Sequence, residues 1–133
     1  MNPIITSGKR KKAIARAHIK EGKGIIRINN RLLDVLEPEL LRLRIKEPLL
    51  LADKLAGRVD IDIIVTGGGS TSQADAVRLA IARALVKFAN DSALEKSFDD
   101  YDRNLLVADV RRKEARKPNT NSKARAKKQK SYR

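Results

Sequence analysis

Three consecutive glycines, Gly67–Gly69, are the residues of this chain whose spacing most directly suggests chemistry. They follow the alternating stretch RVDIDIIVT and precede the helical pattern STSQADAVRLAIARALV. A glycine turn that opens a helix exposes backbone N–H groups and a positive dipole to phosphate. The Walker pattern requires Gly-Lys-Ser/Thr, but no lysine lies between Lys54 and Lys87, and Ser72 stands where the dinucleotide pattern needs its third glycine. We therefore predict a structural turn whose amides meet a nucleic-acid phosphate.

Side chains for catalysis or metal binding are sparse. His18 is the only histidine and there is no cysteine, which excludes thiolate catalysis and Cys-ligated zinc. An EF-hand alignment of SFDDYDRN beginning at Asp100 puts Leu105 at the required glycine and Arg111 at the bidentate glutamate. We predict no enzyme, no cofactor and no metal site, and we expect these acids to cap a turn.

The positive charge of the chain is concentrated at its two ends. The net charge is +14 over 133 residues, of which residues 1–23 carry +6, residues 24–110 carry −2 and residues 111–133 carry +10. A nearly neutral body between two cationic segments indicates a polyanionic partner. Neither segment has the apolar face of a membrane-surface helix, and MNPIITSGKRKK has no apolar run typical of a secretory signal. Nucleic acid is therefore the favoured partner, and no membrane contact is expected.

Residue alternation predicts the strands that position these groups. In AIARAHIK, alternate residues from Ala13 to Ile19 are expected on a buried face, with Arg16 and His18 on the outer face. A turn at EGKG leads into IIRI, which is predicted to be the hairpin partner of this strand, and Asn29-Asn30 mark a second turn. RVDIDIIVT is predicted to be another half-buried strand.

Helices complete the predicted order β-β-α-α-β-α-β. Pro38 opens PELLRLRIK, and Pro48 closes it and opens PLLLADKLA, with the leucines of both expected in the core. The main helix follows the glycines, with Ser72 and Asp75 arranged like an N-cap. NDSALEKSFDDYDR is expected to be a polar connection to LLVADV, a short strand or extended segment. The chain then divides into a basic N-terminal arm (1–12), an α+β body (13–110) and a basic C-terminal tail (111–133).

Three ordered motifs resemble the ninth small-subunit ribosomal protein family. They are GKRKKAIARAHIKEGKGIIRIN, VTGGGSTSQADAVRLAIARALV and LLVADVRRKEARK…ARAKKQKSYR, and they span nearly the whole chain. EPEL…KEPLLL and YDRNLLVAD are similar to the archaeal and eukaryotic branch, and the short N-terminus favours an archaeal member. The resemblance implies an α+β fold like the second domain of the fifth small-subunit protein. That fold has a small mixed sheet, one main helix, two short helices, a left-handed βαβ crossover and a long extended basic tail.

The same resemblance implies a structural component of the small-subunit head in the cytoplasmic ribosome, bound to ribosomal RNA and neighbouring head proteins. It also implies that the tail reaches the anticodon stem-loop of peptidyl-site tRNA. No homo-oligomer is expected. The residues assigned to ribosomal RNA are Lys9, Arg10, Lys11, Lys12, Arg16, Gly67, Gly68, Gly69, Gln73, Arg111, Arg112, Lys113, Arg116, Lys117, Lys123, Arg125, Lys127, Lys128 and Lys130. Those assigned to tRNA are Ser131, Tyr132 and Arg133.

The sequence departs from the family pattern at two places, and two other functions stay open. Asn119-Thr120-Asn121 stands where the family is often glycine-rich, and asparagine tolerates the left-handed backbone that such a turn needs. Ser72 replaces a glycine common in bacterial relatives. The alternatives are a free RNA-binding regulator or nucleic-acid condenser, and an enzyme acting on nucleotides through GGGSTS.

Overall fold

A computed structural model describes residues 3–129 and residue 131. The strands are β1 (Ile4–Arg10), β2 (Ala13–Glu21), β3 (Ile26–Ile28), β4 (Arg31–Leu32) and β5 (Val59–Thr66). The helices are α1 (Glu39–Leu51), α2 (Asp53–Ala56), α3 (Ser70–Ala89) and α4 (Ser92–Tyr101), with 3-10 turns at Leu33–Val35 and Arg103–Leu105. The strand order is β1-β2-β5-β3-β4, antiparallel except for the parallel pair of β3 and β5. The predicted α+β class with a small mixed sheet is confirmed.

The core lies between one face of the sheet and α3. Ala13, Ala15 and Ala17 of β2 have no exposed surface, as the alternation predicts. On β1, a Cβ added to Gly8 would lie 2.3 Å from the backbone oxygen of Ala76. Small residues on these strands therefore let the backbone of α3 lie directly against the sheet.

The predicted half-burial of β5 is also confirmed, and α3 packs against the sheet with half of its residues buried. Alternate residues of β5 from Val59 to Val65 are buried, and so are Val77, Ile81 and Leu85 of α3. Apart from Phe98, the buried hydrophobic residues are all aliphatic, so the core is aliphatic.

β5 lies between β2 and β3, so the predicted hairpin of β2 with β3 is wrong. The carboxylate of Asp60 on β5 accepts hydrogen bonds from the backbone N–H groups of Lys23 at 2.8 Å and Ile25 at 3.0 Å. These bonds hold the connection across the end of β5, so that Ile26 pairs in parallel with Ile61 on the far side. The N–H of Ile25, followed by that of Lys23, lowers the pKa of the Asp60 carboxyl.

α1 runs without interruption through Pro48, where the sequence predicts a boundary between two helices. The carbonyl of Pro48 accepts a hydrogen bond from the N–H of Ala52 at 3.1 Å, and Pro48 is buried. Proline removes its own N–H bond from a helix, and the burial of Ile45 and Leu49 on either side offsets that loss. The second predicted helix is thereby reduced to the four residues of α2.

Only some of the α1 leucines are core residues. Leu41 and Leu49 are buried, whereas Leu40, Leu43 and Leu50 are exposed. The prediction that all these leucines belong to the core is wrong, because a helix packed on one side buries only one stripe.

The basic arm contains a strand that the sequence pattern does not predict. β1 pairs with β2 along its whole length, from Ile4 opposite Ile19 to Arg10 opposite Ala13. The less exposed residues of β1 are Ile4, Thr6, Gly8 and Arg10, which give no apolar alternation, so a periodicity argument does not detect the strand.

α4 occupies most of the segment predicted to be a polar connection. The Asp91 side chain accepts a hydrogen bond from the N–H of Ala93 at 2.9 Å and caps the helix, and Phe98 anchors it with no exposed surface. Leu94 also packs against the core at helical spacing from Phe98, but the many charged residues around this pair give the segment the composition of a polar connection.

LLVADV forms no strand in the part of the chain that the structure describes. Leu105 is buried in a 3-10 turn, and the residues after it up to Val110 have no regular secondary structure. The Asp102 side chain accepts a hydrogen bond from the N–H of Asn104 at 3.0 Å, so the prediction that the acids of this region cap a turn is confirmed for Asp102.

Candidate nucleic-acid interface

The glycine turn after β5 is packed against the turn between β1 and β2. Gly67 and Gly68 have φ of +78° and +65°, in the left-handed region that favours glycine. A Cβ on Gly67 would lie 2.5 Å from the carbonyl oxygen of Lys12, whereas a Cβ on Gly69 would meet open space. Two of the three glycines are therefore required by the fold, as the structural interpretation of this turn predicts.

α3 begins directly at this turn. It starts at Ser70 with Gly69 as its N-cap, so the N-cap predicted at Ser72 is wrong. Within residues 3–129 no side chain caps this end, and the first N–H groups of a helix have no partner within the helix. The Gln73 side chain donates a hydrogen bond to the carbonyl of Gly67 at 3.0 Å, so it braces the turn. The turn thus presents backbone donors beside open space at Gly69.

Cations from two segments, the turn between β1 and β2 and the start of the tail, meet beside the glycines. We call the resulting cavity of about 840 Å³ the cationic cleft. It is lined by Arg10, Lys11, Lys12, Gly68, Gly69, Ser72, Arg111, Arg112 and Lys113. Six of these residues are Lys or Arg and none is acidic. The fold therefore brings the start of the tail to the turn between β1 and β2. The distribution of charge along the sequence does not predict this proximity.

Arg10 is the most enclosed of these cations. Its side chain is 15% exposed and lies 3.9 Å from the Asp75 carboxylate and 3.5 Å from that of Asp109. Arg111 also binds Asp109, at 2.7 Å, but 79% of its side chain is exposed. Among the described residues, no carboxylate lies within ion-pair distance of the other four cleft cations. Arg10 thus has a structural role in this arrangement. The four unpaired cleft cations, Lys11, Lys12, Arg112 and Lys113, are available to an external anion.

Asp109 fixes the start of the tail. Its carboxylate accepts hydrogen bonds from the Arg111 guanidinium and from the Arg111 backbone N–H, at distances between 2.7 and 3.1 Å. These bonds, together with the charge of Arg10, hold the pKa of the Asp109 carboxyl well below its usual range. The pKa of Arg111 is raised by the same pairing.

Arg83 of α3 fixes the chain just before that point. Its Nε donates to the carbonyl of Leu106 at 3.0 Å, and its Nη1 donates to the carbonyl of Ser7 on β1 at 2.9 Å. The segment entering the tail is therefore held beside β1 by a side chain rather than by strand pairing. A single arginine in a helical pattern gives no sequence signal for this role.

Lys9 and Arg16 lie on a different surface from the cationic cleft. Both are exposed on the sheet face that α3 does not cover, since their strand neighbours point into the core. His18 is exposed on the same face, as predicted. In the parts of the chain that the structure describes, no group of three or more His, Cys, Asp or Glu residues could hold a metal ion.

The tail turns back on itself rather than extending throughout. Asn119, Asn121 and Ser122 have positive φ, so the prediction that asparagine supports a left-handed turn here is confirmed. Glu114 receives two hydrogen bonds from Arg125, at 2.7 and 3.0 Å. This pairing lowers the pKa of Glu114. The exposed cations predicted to bind RNA here are Arg116, Lys117, Lys123, Arg125, Lys127 and Lys128.

Of the residues predicted to contact tRNA, only Ser131 lies in the described part of the chain, and it is exposed. Lys130, Tyr132 and Arg133 lie outside the described residues. Among the helices described, none is long and apolar enough to cross a membrane.

An α+β body with one acid-free cationic cleft and a basic tail defines a class of small protein suited to a polyanionic partner. A sequence model of the family described as Ribosomal protein S9/S16 matches residues 8–133. The chain belongs to this family, which confirms the resemblance.

Curated relatives of this family align with the chain over their full lengths. The chain is 51% identical over 133 residues to the small ribosomal subunit protein uS9 of Methanothrix thermoacetophila and 53% identical to that of Thermoplasma volcanium. It is 48% identical over 134 residues to uS9 of Methanococcus maripaludis strain C7. Each match covers all of both chains. The chain is therefore a structural ribosomal protein of the small subunit, of the archaeal type and located in the cytoplasmic ribosome, and it is not an enzyme.

Proposed function

We propose that this protein binds ribosomal RNA of the small-subunit head through its cationic cleft and tail, and that the end of the tail contacts peptidyl-site tRNA. The observation that carries the first part is the convergence of six cations and no acid on one cavity. A phosphate in this cleft gains from the cations around it, and no carboxylate of the described residues lines the cavity. The uncapped start of α3 adds backbone donors to the same cavity.

The exposed cations of the tail extend this surface. Apart from three alanines, Pro118 and Tyr132, residues 111–133 are polar or charged, so the tail has no core to fold around and gains order from a partner. The turn at Asn119–Ser122 and the pairing of Glu114 with Arg125 give the unbound tail a local shape. RNA phosphates that approach Arg125 compete with Glu114 for its guanidinium.

Contact with tRNA rests on the family resemblance and on the chemistry of the last three residues. The guanidinium of Arg133 offers a planar pair of donors that matches a phosphate, and Tyr132 can stack or donate a hydrogen bond. Neighbouring head proteins complete the proposed environment.

The RNA-binding proposal is tested by removing four cleft cations from the full-length chain. Lys11→Ala, Lys12→Ala, Arg112→Ala and Lys113→Ala are combined, since Arg10 and Arg111 are bound to Asp109. We expect weaker binding to head ribosomal RNA and a slope of log K against log salt that is flatter by roughly three, because each lost phosphate contact contributes about 0.7 to 0.9.

The matched control removes the same charge elsewhere. The control combines four substitutions at exposed positions outside the cleft: Lys54→Ala, Arg58→Ala, Lys87→Ala and Lys96→Ala. If both variants lose affinity equally, the attraction comes from net charge alone and the cleft has no special role.

The tRNA proposal is tested separately by deleting residues 131–133. We expect small subunits carrying the shortened chain to assemble normally and to bind peptidyl-site tRNA less tightly. The same deletion should leave the affinity of the free protein for head RNA nearly unchanged. Unchanged tRNA affinity in assembled subunits would exclude the contact without affecting the RNA-binding proposal.

A further inference from the structure

α1 presents a row of exposed leucines. Leu40, Leu43 and Leu50 are 76%, 51% and 70% exposed. Their spacing of three and then seven residues places them along one side of the helix. Single exposed aliphatic side chains are common on protein surfaces, but three on one side of a helix are typical of a contact surface.

A groove beside α1 continues this row. It has a volume of about 580 Å³ and lies between α1, α2 and the β3–β4 hairpin. We call it the aliphatic groove, after the residues Ile25, Ile26, Leu32, Leu33, Leu49 and Leu50 that contribute its apolar surface. Leu50 belongs to both the row and the groove, so the two form one surface.

The charges around the groove cancel one another. Its charged residues are Lys23 and Lys46 with Asp34 and Asp53, two of each sign. Lys46 forms an ion pair with Asp34 at 2.9 Å. An incoming phosphate would meet as many acids as cations here.

The remaining cations of α1 are also occupied. Arg42 lies 3.6 Å from the Glu39 carboxylate and donates a hydrogen bond to the carbonyl of Asp34. Arg44 lies 3.0 Å from the Asp75 carboxylate. Every cation of α1 therefore has an acidic partner, and what the helix offers to another molecule is aliphatic surface. This excludes a nucleic-acid backbone as a good occupant.

The described part of the tail offers no occupant for the groove. The apolar residues among positions 111–129 are alanines, which are too short to fill a groove lined by leucine and isoleucine. An occupant must therefore come from another molecule that presents larger aliphatic side chains.

We propose that the leucine row and the aliphatic groove bind a neighbouring protein of the small subunit through a segment with aliphatic side chains and no net charge. The inference depends on the chain's membership of the small subunit and specifies which surface meets protein rather than RNA. The cationic cleft follows β5 and the groove precedes it, so protein and RNA contacts lie beyond opposite ends of one strand.

The test places an aliphatic diazirine side chain at position 50 of the full-length protein, in assembled small subunits. A photoactivated diazirine inserts into protein or RNA, whichever is adjacent. We expect an adduct that protease removes and ribonuclease does not, and mass spectrometry should map it to an aliphatic, uncharged segment of another ribosomal protein. The same side chain at position 113 should give an adduct that ribonuclease removes.

The two positions separate the two proposals. An RNA adduct at position 50, an adduct with a second copy of this chain, a charged partner segment, or no adduct at all would overturn the groove proposal. Loss of the RNA adduct at position 113 would count against the cleft proposal alone.

A second measurement uses the pair Leu40→Gln and Leu50→Gln in the full chain. We expect the protein identified by the adduct to be present at several-fold lower occupancy in assembled subunits, with the isolated chain's affinity for head RNA unchanged. The control pair Lys54→Gln and Lys96→Gln should leave occupancy unchanged. Equal occupancy in both variants would overturn the proposal.

Discussion

β5 separates two surfaces with opposite chemistry. Beyond its carboxyl end lies the cationic cleft, with six cations and no acid. Before its amino end lies the aliphatic groove, with two cations and two acids around leucine and isoleucine side chains. The cleft cations come from segments next to the chain ends, whereas cations of α1 sit among acids that pair with them. A residue's charge therefore indicates little about its partner until its neighbours are known.

The largest effect should follow a change at the turn that builds the cleft. Gly67→Ala places a Cβ 2.5 Å from the Lys12 carbonyl at a φ of +78°. Left-handed backbone costs about 1–2 kcal/mol and overpacking about 1–3 kcal/mol, so we expect a loss of about 3 kcal/mol in the free energy of unfolding by urea. Gly69→Ala, which meets open space, should lose less than about 1 kcal/mol. Equal losses would contradict the close packing of this turn.

A smaller effect should follow when the ion pairs that join α3 to α1 and to the end of α4 are removed. Arg78 is nearly buried and binds Glu47 of α1, and Asp102, beyond α4, at 3.1 Å. Arg78→Met leaves two partly exposed carboxylates without this partner, and we expect a loss of about 2 kcal/mol in thermal or urea unfolding. Lys87→Met, at an exposed position of the same helix, should change stability by less than about 0.5 kcal/mol. If Arg78→Met left the free energy of unfolding unchanged, the three elements that carry Arg78, Glu47 and Asp102 would be held together by packing alone.

The pairing at the base of the tail should show as a pH effect. The Asp109 carboxyl has a lowered pKa, so its stabilising contribution is fully present above the ordinary aspartate value of 3.8 and is lost as the pH falls through its folded pKa. We expect the NMR signal of the Arg111 Nε–H to stay constant down to pH 4 and to move only at more acidic pH. Asp109→Asn should abolish this transition. A transition centred near pH 3.8 would indicate that the pair does not form in solution.

The smallest effect on stability should come from the leucine row. Leu40→Ser and Leu50→Ser remove exposed side chains, so each should change the free energy of unfolding by less than about 0.5 kcal/mol. Leu49→Ser, a buried control on the same helix, should lose at least about 2 kcal/mol. A comparable loss at Leu40 would show that the row already contributes to the isolated fold.

Periodicity predicts the inner faces of β2, β5 and α3, because burial on one face leaves a direct imprint on a sequence. It misses β1, where glycine is required at position 8 because the backbone of Ala76, in a helix distant in sequence, packs directly against it. It also misplaces β3, whose position depends on hydrogen bonds from two residues of a turn to Asp60. These contacts join residues far apart in the chain, and no local pattern records them.

The candidate site also has features that the sequence predicts and features that only the structure shows. The glycine turn and the basic segments are visible in the sequence, but their meeting in one cleft is not. The sequence assigns Arg10 and Lys11 the same role, and the structure distinguishes them because Asp75 and Asp109 lie beside Arg10. Arg83, which holds the base of the tail, resembles any other arginine of α3.

The strand order also sets the sequence of events while the chain is being made. β1 and β2 can pair as soon as residue 21 is available, but the other edge of β2 stays open until β5 follows, about 40 residues later. The alanine face of β2 stays uncovered for longer, until α3 at residues 70–89 has been synthesised. An open edge of this kind invites pairing with other chains. The nascent protein is therefore most exposed to misassociation between the synthesis of β2 and that of α3.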